Sequence, residues 1–360
     1  MAVEVRDLDE SSVRAWEFYV AGHQDGTLFH TLLWRDAVRE AFGHRSCYLT
    51  AWRGGACVGV FPLMQVSSCL AGTILVSVPY AVYGGTLADD PEAHAALLDR
   101  ARQLAARLKA QWIDIRSVAS QWPELPVVRR YVTFRKRLPR DVDRVMSSLP
   151  RKARAAARQA REVYHLEASF DDSHLGTVWS LYSRSMRRLA SPNYPLKFFR
   201  YLVEHTPAVG SGTGTNGEDS RPGHMVQLIR HGCRPIAGLV SFVYRGTLMP
   251  YFSGCDDGFE RTHPNNFLYL TAMERGVEAG CQAFDFGRSR VDNAGACNFK
   301  RFQGFEPTPL HYQYYVPDGG RAPNLHPGNA RLSLARRVWP RLPLAVTRPL
   351  GSWLARSIPG

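Results

Sequence analysis

The sequence predicts an α/β (α+β) protein made of two similar domains, each with a central mixed β-sheet flanked by helices. Helical and strand patterns alternate along the chain, which is typical of this class. In addition, "RGGACVGVFPL" around Gly59 matches "RHGCRPIAGLVSF" around Gly238, and "QWIDIRS" around Asp114 matches "QAFDFGRS" around Asp285. The two matches occur in the same order, so the sequence predicts one duplicated unit. A chain of 360 residues is long enough for two such domains.

The first half predicts helices and strands in turn, and we assign it to domain one, residues 1–140. "SSVRAWEFYVAGH" begins with a serine cap and "TLLWRDAVREAFG" ends at a glycine, so both are predicted helices. Gly54-Gly55 joins two β-rich runs as a hairpin. The remaining predicted elements are the strand "TILVSVPY", the helix "PEAHAALLDRARQLAARLKA", the strand "QWIDIRS" and, as the last strand of this domain, "YVTFRKRL".

The second half repeats this plan, and we assign it to domain two, residues 141–318. Turns at His231-Gly232 and Arg245-Gly246 divide one β-rich stretch into three strands. A glycine- and serine-rich polar run at 209–223 is predicted to be a flexible insert. The other predicted elements are the helices "DDSHLGTVWSLYSRSMRRLA", "PLKFFRYLVEHT" and "NNFLYLTAMERGVEAGC" and the strands "QAFDFGRS" and "TPLHYQYYV".

Positive charge is concentrated in two segments of a chain whose net charge is +13. Residues 129–162 hold 12 basic and 3 acidic side chains, and residues 319–360 hold 7 arginines and no acid. Within the first segment, Arg151, Arg154, Arg158 and Arg161 recur at helical spacing with alanines opposite. Such a stripe predicts an anionic partner, for which tRNA, a nucleotide-sugar or polyprenyl-type diphosphate and an anionic membrane are the candidates. A solvated helix face is the alternative.

The tail, residues 319–360, mixes Leu, Val and Trp with arginine, and prolines interrupt any long helix. It is interpreted either as an arm that packs on domain two or as an interfacial segment with Trp339 and Trp353 among anionic headgroups. No run of apolar residues is long enough for a transmembrane helix, and the acidic start "MAVEVRDLDESS" is unlike a signal peptide. Seven scattered cysteines without a CxxC pair fit a reducing compartment. We therefore expect a cytoplasmic protein that makes peripheral contact with the inner face of the membrane.

The order of several motifs resembles the FemA/FemB superfamily of tandem GNAT-type acyltransferases. These motifs are "YGG" after a strand, "LYSRSMRRLASPNYP", the helix that opens at "NNFLYL", and "FDFGRS" followed by "NFKRFQGFEP". The resemblance is greatest to FemAB-like proteins associated with PEP-CTERM and exopolysaccharide gene clusters, and it covers roughly residues 1–320. It implies two tandem GNAT-like domains that join an activated acyl group to an amine on a cell-surface polysaccharide or cell-wall precursor.

The resemblance also implies site residues. In the family a Phe-Lys pair lies at the reaction centre, and here the matching pair is Phe299-Lys300. Lys300 is one of only five lysines in an arginine-rich chain, and its ammonium is a compact charge suited to a developing oxyanion. A surface lysine beside an aromatic ring is the alternative. Tyr251, at the end of "GTLMPYF", is expected to face the same cleft.

Further residues are candidates for binding the substrate. Tyr83-Gly84-Gly85 is interpreted as a backbone nest for an anion or as an ordinary turn. Arg187 and Arg188 match family arginines near the precursor, where bidentate contacts favour arginine, and Arg39 resembles an early basic residue that contacts the precursor. Asp285 and Arg288 end a strand, where ligands gather in open α/β sheets, although a structural ion pair is the favoured role for Asp285.

The acyl donor is left open between an aminoacyl-tRNA and an acyl-CoA, and no tightly bound cofactor is expected. The R/Q-x-x-G-x-G/A loop that cradles the diphosphate of coenzyme A is absent from the sequence, and so is the coiled-coil arm of some FemA proteins. None of the twelve histidines lies in an HxxH or HExxH pattern, so no metal site is predicted. An anionic glycan or lipid-linked precursor is the expected partner. A non-catalytic binder of such a precursor or of a membrane surface is the alternative function.

Overall fold

The computed structural model describes residues 1–68, 72–210, 221–320 and 337–358. The chain divides into two compact units. The first comprises Met1–Arg129, a segment that begins at Pro309, and the C-terminal residues from Trp353; the second comprises Arg130–Thr308 and a segment that ends at Ser352. Most of the insert predicted at 209–223 lies outside the described residues.

The first unit packs three helices on two sheets, with a core around Leu63, Leu97 and Ile113. Its helices are α1 (Val13–Gly22), α2 (Leu32–Phe42) and α3 (Pro91–Arg107). Its strands are β1 (Glu4–Asp7), β2 (Arg45–Ser46), β3 (Leu49–Arg53), β4 (Ala56–Phe61), β5 (Leu63–Ser68), β6 (Gly72–Ser77), β7 (Leu87–Ala88), β8 (Ile113–Ile115), β9 (Val127–Val128) and, from the far end of the chain, β17 (Tyr312–Tyr315). The sheet orders are β1-β3-β4-β7 and β2-β5-β6-β8-β17-β9.

The second unit has one seven-stranded sheet, in the order β11-β12-β13-β14-β15-β10-β16. Its strands are β10 (Tyr131–Arg137), β11 (Leu166–Phe170), β12 (Gly223–His231), β13 (Arg234–Tyr244), β14 (Thr247–Cys255), β15 (Ala283–Arg290) and β16 (Pro307–Pro309). Its helices are α4 (Asp143–Ser147), α5 (Arg151–Glu162), α6 (Leu175–Arg188), α7 (Leu196–Glu204), α8 (Pro264–Glu278) and α9 (Ala294–Phe302), and α10 (Leu344–Ala355) follows near the C-terminus.

Both units show the same arrangement, which confirms the predicted α/β class with tandem GNAT-like folds. In each, a helix follows a strand and leads to a second strand that is parallel to the first. The pairs are β6 with β8, joined by α3, and β14 with β15, joined by α8. The strand of Asp114 thus holds the same place in its sheet as the strand of Asp285. In each sheet an antiparallel strand from elsewhere in the chain covers the outer edge of that second strand.

Those two covering strands correct the sequence analysis. "YVTFRKRL" was predicted to end the first sheet, but it forms β10 and pairs with β15 in the second unit. "TPLHYQYYV" was predicted to end the second sheet, but it contains β17 and pairs with β8 in the first unit. Both segments contain strands, as predicted, but each strand belongs to the sheet of the other unit. The division between units consequently falls before β10 rather than after it.

The arginine stripe of α5 lies on the face opposite to a buried alanine face formed by Ala153, Ala157 and Ala160. Two of the stripe's charges are paired within the second unit. Arg161 forms an ion pair with Glu274 of α8 at 2.6 Å, and Arg158 lies 4.0 Å from Glu162. The stripe is therefore partly neutralised within the second unit, by Glu274 of α8 and by Glu162 of α5 itself.

The described part of the tail packs on α6. Trp339 is buried, Arg348 lies over the ring of Trp179 at 5.0 Å, and the side chain of Asn193 donates to the carbonyl of Arg348 at 3.3 Å. These contacts favour the packing arm and contradict a headgroup position for Trp339, whereas Trp353 is 57% exposed. Among the described residues, no helix combines the length and the apolar character that crossing a bilayer requires.

Gly254 in β14 generates a testable prediction about packing. A Cβ at this position would overlap the α6 backbone at Leu181 and Tyr182, which cannot move aside as a side-chain tip can. We expect Gly254→Ala to lower the free energy of unfolding of the second unit by about 3 kcal/mol or more, measured by chemical denaturation. Gly176→Ala is the matched control, because it lies in α6 with open space around it. A Gly254→Ala protein as stable as this control would refute the close approach of α6 to β14.

Candidate active site

The two central parallel strands of the second unit pair only where they begin. β14 and β15 are in register at Thr247 with Ala283 and at Leu248 with Phe284, and the register ends there. Beyond Leu248, β14 is paired only with β13, and β15 only with β10. The carboxyl-terminal halves of the strands therefore diverge, and we call the opening between them the splay. Openings at the carboxyl ends of parallel strands are where α/β folds bind ligands.

Tyr269 of α8 lies between the diverging strands. Its hydroxyl donates to Ser253 Oγ of β14 at 3.2 Å, and its ring centroid lies 4.8 Å from that of Phe286 in β15. Burial raises the pKa of Tyr269, so the hydroxyl keeps its proton at neutral pH. Phe299 of α9, the predicted site residue, packs against Tyr269 with centroids 5.6 Å apart. The splay is thus lined by an aromatic wall that carries one proton-bearing hydroxyl.

A β-bulge interrupts β15 at the splay. Thr133 and Arg135 of β10 lie opposite Arg288 and Asp285, so the single residue Phe134 faces both Phe286 and Gly287. Gly287 has φ 63°, a left-handed conformation that glycine adopts without a Cβ penalty. A left-handed residue breaks the alternation of carbonyl directions along a strand, and the extra residue leaves carbonyls without a partner in β10. The bulge needs a donor from outside the sheet.

Lys300 is that donor. Its Nζ donates to the carbonyls of Phe286 and Gly287, each at 3.0 Å, and to that of Arg288 at 3.3 Å. The ammonium also lies 5.1 Å from the centre of the Phe134 ring. Burial lowers the pKa of Lys300 to about 8, and the nearby Asp285 carboxylate opposes that shift. Below that pH the lysine carries a full charge, and its three protons match the three carbonyls.

The helix that carries Lys300 was not predicted from the sequence, which indicated a loop there. α9 begins after Asn293, whose side chain accepts a hydrogen bond from the backbone N–H of Ala296. Two turns of helix from this cap bring Phe299 and Lys300 back over β15. Asn293 was the available signal, since asparagine before a short helical run is a cap.

Asp285 supports the same bulge. Its side chain is buried, and its Oδ1 accepts from the backbone N–H of Gly287 at 2.7 Å and from the Thr133 hydroxyl at 3.3 Å. Arg288 stacks on the ring of Tyr131 at 4.7 Å and contributes its carbonyl to Lys300. Asp285 therefore holds the strand end through hydrogen bonds to a backbone N–H and a hydroxyl. The structural ion pair that the sequence analysis favoured for Asp285 stays a prediction.

Tyr251, Arg187 and Arg188 also belong to the second unit, and their side chains contact residues other than Tyr269 and Lys300. Tyr251 is the extra residue of a bulge in β14, where it packs against Phe242 and Phe252. Arg187 Nη1 donates to the carbonyl of Leu342 at 3.3 Å, so it holds the tail. Arg188 is exposed and lies 3.7 Å from Asp257. Tyr251 stands two residues before Ser253 on the strand that borders the splay.

The remaining candidates lie in the first unit. Arg39 is exposed on α2 and forms an ion pair with Asp36 at 3.1 Å. The N–H of Gly84 donates to the Arg116 carbonyl at 2.8 Å, and neither Gly84 nor Gly85 adopts a positive φ. These two observations favour the ordinary turn over the nest, because a nest requires successive N–H groups that point at one anion. Tyr83 is buried beside them.

The strand end of the first unit that corresponds to the splay is filled by an ion pair. Arg116 is buried and donates to Asp114 Oδ2 through Nε at 3.1 Å and Nη2 at 2.9 Å. The same guanidinium donates to the Ala81 carbonyl at 3.4 Å. The arginine of "DIRS" thus pairs with the aspartate of its own strand, whereas in "DFGRS" the inserted glycine creates the bulge that Lys300 caps. The candidate site therefore belongs to the second unit.

Sequence reasoning missed Tyr269 and Ser253. Tyr269 falls on the apolar period of "NNFLYLTAM", where a tyrosine is indistinguishable from a core residue. No cluster of His, Cys, Asp and Glu among the described residues could hold a metal ion.

Comparison with known proteins agrees with this geometry. The model of the GNAT acetyltransferase domain family matches residues 145–301, which contain the splay, Tyr269 and Lys300. No curated protein matches the chain. The fold, the splay and the domain match define the class: the chain is an acyltransferase that contains a GNAT acetyltransferase domain at residues 145–301.

Three solved structures share the fold over most of the chain. A FemX structure is 15% identical with a TM-score of 0.62, covering 88% of this chain and 98% of its own. A tandem GNAT protein from the clavulanic acid biosynthesis pathway is 14% identical with a TM-score of 0.54, covering 87% and 98%. The C-terminal domain of a protein assigned as lysylphosphatidylglycerol synthetase, from Agrobacterium fabrum, is 11% identical with a TM-score of 0.53, covering 86% and 93%.

The bulge generates a prediction about stability. Gly287→Ala should lower the free energy of unfolding of the second unit by about 1–2 kcal/mol, because alanine is strained at this positive φ. Gly295→Ala in α9 is the control, since its nearest neighbour would be 3.8 Å away. Chemical denaturation of both variants measures the difference. Equal stability of the two would mean that Gly287 is not held in the left-handed conformation.

Proposed function

We propose that the protein is FemAB-like and transfers an aminoacyl or acetyl group to an amine on a cell-surface polysaccharide or cell-wall precursor, with the splay as the reaction site. The observation that carries the proposal is that two residues with a donor proton, Tyr269 and Lys300, both contact Phe286 of β15, beside a β14 edge that β15 leaves unpaired. The motif order described above and the shared fold with FemX support the choice of family.

The chemistry requires a neutral amine, an aligned acyl carbonyl and donors where negative charge develops on oxygen. Beyond Leu248, the edge of β14 that faces the splay is not paired with β15, so peptide N–H groups of this edge can receive the acyl carbonyl. The amine attacks that carbonyl, so that a C–N bond forms and the ester C–O or thioester C–S bond breaks. The Tyr269 hydroxyl is placed to give a proton to the departing oxygen or sulfur, and the proton that the amine nitrogen loses returns to the phenolate. Lys300 fixes the bulge and contributes positive charge next to it.

An aminoacyl ester fits the junction between β14 and α8 better than coenzyme A does. GNAT proteins that use coenzyme A present backbone N–H groups to its diphosphate at a strand-to-helix junction. Here Asp256 accepts the N–H of Gly258 at 3.1 Å and the guanidinium of Arg234 at 2.9 Å. Pro264 at the first position of α8 provides no N–H. A carboxylate therefore occupies the donors that would hold a diphosphate, which favours an aminoacyl-tRNA as the donor.

The positive charges on α5 indicate which partners the protein binds. The α5 stripe retains Arg151 and Arg154 as cations without an acidic partner in the described ion pairs, although Arg154 donates to the Ser147 carbonyl at 3.2 Å. We propose tRNA or an anionic lipid-linked precursor as the partner of this stripe, and a cytoplasmic location with peripheral contact at the inner face of the membrane. The six cysteines of the described residues are unpaired, which supports a reducing compartment.

One observation favours a second candidate function. All three protons of the Lys300 ammonium are directed to backbone carbonyls, which is what a purely structural lysine would show. The alternative is a non-catalytic member that binds an anionic glycan precursor through the splay. The enzyme requires Lys300 to act during turnover, whereas the binder requires it only for the fold.

The Lys300→Ala variant tests the role of the lysine. We expect turnover to fall by about a hundredfold or more, because an electrostatic contact near the reacting carbonyl is lost. The measurement is mass spectrometry of the acylated amine, with aminoacyl-tRNA and acetyl-CoA offered as separate donors. Lys152→Ala, which removes an exposed lysine of α5, is the control and should turn over normally. Near-normal turnover in Lys300→Ala, with its fold intact, would contradict the assigned role.

The Tyr269→Phe variant distinguishes proton donation by the Tyr269 hydroxyl from the packing of its ring. It keeps the aromatic contacts with Phe286 and Phe299 and removes only the hydroxyl that bonds Ser253. We expect kcat to fall by about 10²-fold or more, the typical contribution of a positioned proton donor, with little change in KM or melting temperature. Ser253→Ala, which keeps the phenol, should retain most of the activity. A Tyr269→Phe enzyme with unchanged kcat would exclude the hydroxyl as the proton donor.

A further inference from the structure

A second concave site lies at the opposite ends of the same two strands. It is a groove of about 930 Å³, lined by the turn before β14 (Arg245, Gly246), the start of β15 (Gln282, Ala283) and the segment that follows β10. Ala283 in the groove and Phe286 at the splay are three residues apart on β15, so the groove lies about 10 Å from the splay along the strand. Four of its basic residues belong to the basic segment 129–162, for which the sequence analysis predicted an anionic partner on the α5 stripe but not in this groove. The acyl-transfer proposal does not use the groove.

The groove is strongly cationic. Of the 15 residues that line it, all within the described part of the chain, none is acidic and five are basic: Arg135, Lys136, Arg137, Arg140 and Arg245. A solvated protein surface normally mixes charges of both signs, and like charges this close repel one another. Five cations around one concavity, with no carboxylate among the lining residues, favour the binding of an anion there.

Lys136 provides hydrogen-bond donors for an anion in the groove. Its stem packs on Phe305, with Nζ 4.5 Å from the ring centre, and burial lowers the pKa of this lysine to about 8. Within the described residues the ammonium makes one hydrogen bond, to the Gln303 carbonyl at 3.3 Å. An ammonium has three protons, so two remain for a ligand. Arg135 is held beside it, because its Nη2 donates to the Thr247 hydroxyl at 3.0 Å.

The dimensions point to a small ligand. The volume falls in the range of about 300–1,000 Å³ that is usual for small-molecule sites and is far larger than one phosphate requires. Leu138, Pro139 and Val277 give the groove an apolar wall that can receive a ring or a chain. Nucleic acid is instead bound along extended basic tracks. Several clustered arginines and a lysine suit the adjacent charges of two linked phosphates.

We propose that this groove binds a diphosphate group, carried either by a nucleoside diphosphate or by a diphosphate-linked lipid, with Lys136, Arg137 and Arg140 as its main contacts. The apolar wall holds the organic part of the ligand. The groove is separate from the splay, and diphosphate binding to it is measured without acyl transfer. A negative result for the groove is therefore distinguishable from a negative result for the proposed acyltransferase activity.

Calorimetric titration of the full chain with inorganic pyrophosphate, ADP and UDP tests the proposal, and inorganic phosphate serves as the single-phosphate comparison. We expect saturable binding of the diphosphates that is clearly tighter than that of phosphate. Arg137→Glu/Arg140→Glu should weaken it about tenfold or more, since two charge-assisted contacts are reversed. The matched control, Lys197→Glu/Arg200→Glu, makes the same charge change on exposed positions of α7 and should alter the affinity less than about twofold.

Lys136 adds a pH signature. Among the lining residues the arginines stay charged, burial raises the pKa of the Cys281 thiol to about 12, and no histidine or carboxylate is present. The pH series uses ADP and UDP, whose terminal phosphate has lost its second proton by about pH 7, and not pyrophosphate, whose last proton leaves within the measured range. Lys136 is protonated below a pKa of about 8 and loses its charge above it, so diphosphate affinity should fall as the pH rises from 7 to 9. Lys136→Met keeps the packing on Phe305 and should bind more weakly at pH 7 with a flat pH profile.

Two further binding measurements distinguish between a lipid and a soluble nucleotide as the source of the diphosphate. Co-sedimentation with phosphatidylcholine vesicles that contain a polyprenyl diphosphate tests the lipid, and the free nucleotides test the soluble form; binding of either that depends on Arg137 and Arg140 supports the proposal. A short RNA of arbitrary sequence is the competitor. Binding of RNA that is much tighter than that of any diphosphate and is lost in Arg137→Glu/Arg140→Glu would overturn the proposal. So would the absence of saturable diphosphate binding, or diphosphate binding that the double variant leaves unchanged.

Discussion

The contact between the Lys300 ammonium and three successive carbonyls of β15 is the interaction on which the second unit's site depends. A bulge at Phe286 and Gly287 turns these carbonyls out of the ladder with β10, and buried carbonyls without donors are costly. One lysine satisfies all three. Because the bulge bends β15 and redirects it, the strand can leave β14 after two residue pairs without unpaired carbonyls at its end.

Helix α8 borders the opening created in this way. α8 provides Tyr269, whose ring packs on Phe286 and whose hydroxyl reaches Ser253 across the splay. The first unit has the same strand arrangement, but there a buried Arg116 pairs with Asp114 and fills the strand end. One duplicated framework thus gives one closed unit and one with an open splay. The difference comes from a single inserted glycine between aspartate and arginine, together with the lysine that caps the resulting bulge.

Local signals in the sequence predicted most elements, because helix caps, proline starts and glycine turns act over a few residues. Gly43 ends α2 with φ 70°, as its position after the apolar run indicated. The partners of β10 and β17 were wrong, because a strand's alternation does not specify which sheet it joins. Lys300 was identified as unusual from composition and resemblance. The bulge that it caps depends on the register between residues 131–137 and 283–290, which no local pattern contains.

The splay between β14 and β15 is the proposed binding site of the acyl group. A crystal structure of the protein with a non-hydrolysable aminoacyl-donor analogue would locate that group. We expect the analogue's carbonyl to lie between the strands beyond Leu248, within hydrogen-bond distance of a β14 backbone N–H and close to the Tyr269 hydroxyl. An analogue bound at another location, with the splay still occupied only by Tyr269 and Phe299, would contradict this proposal.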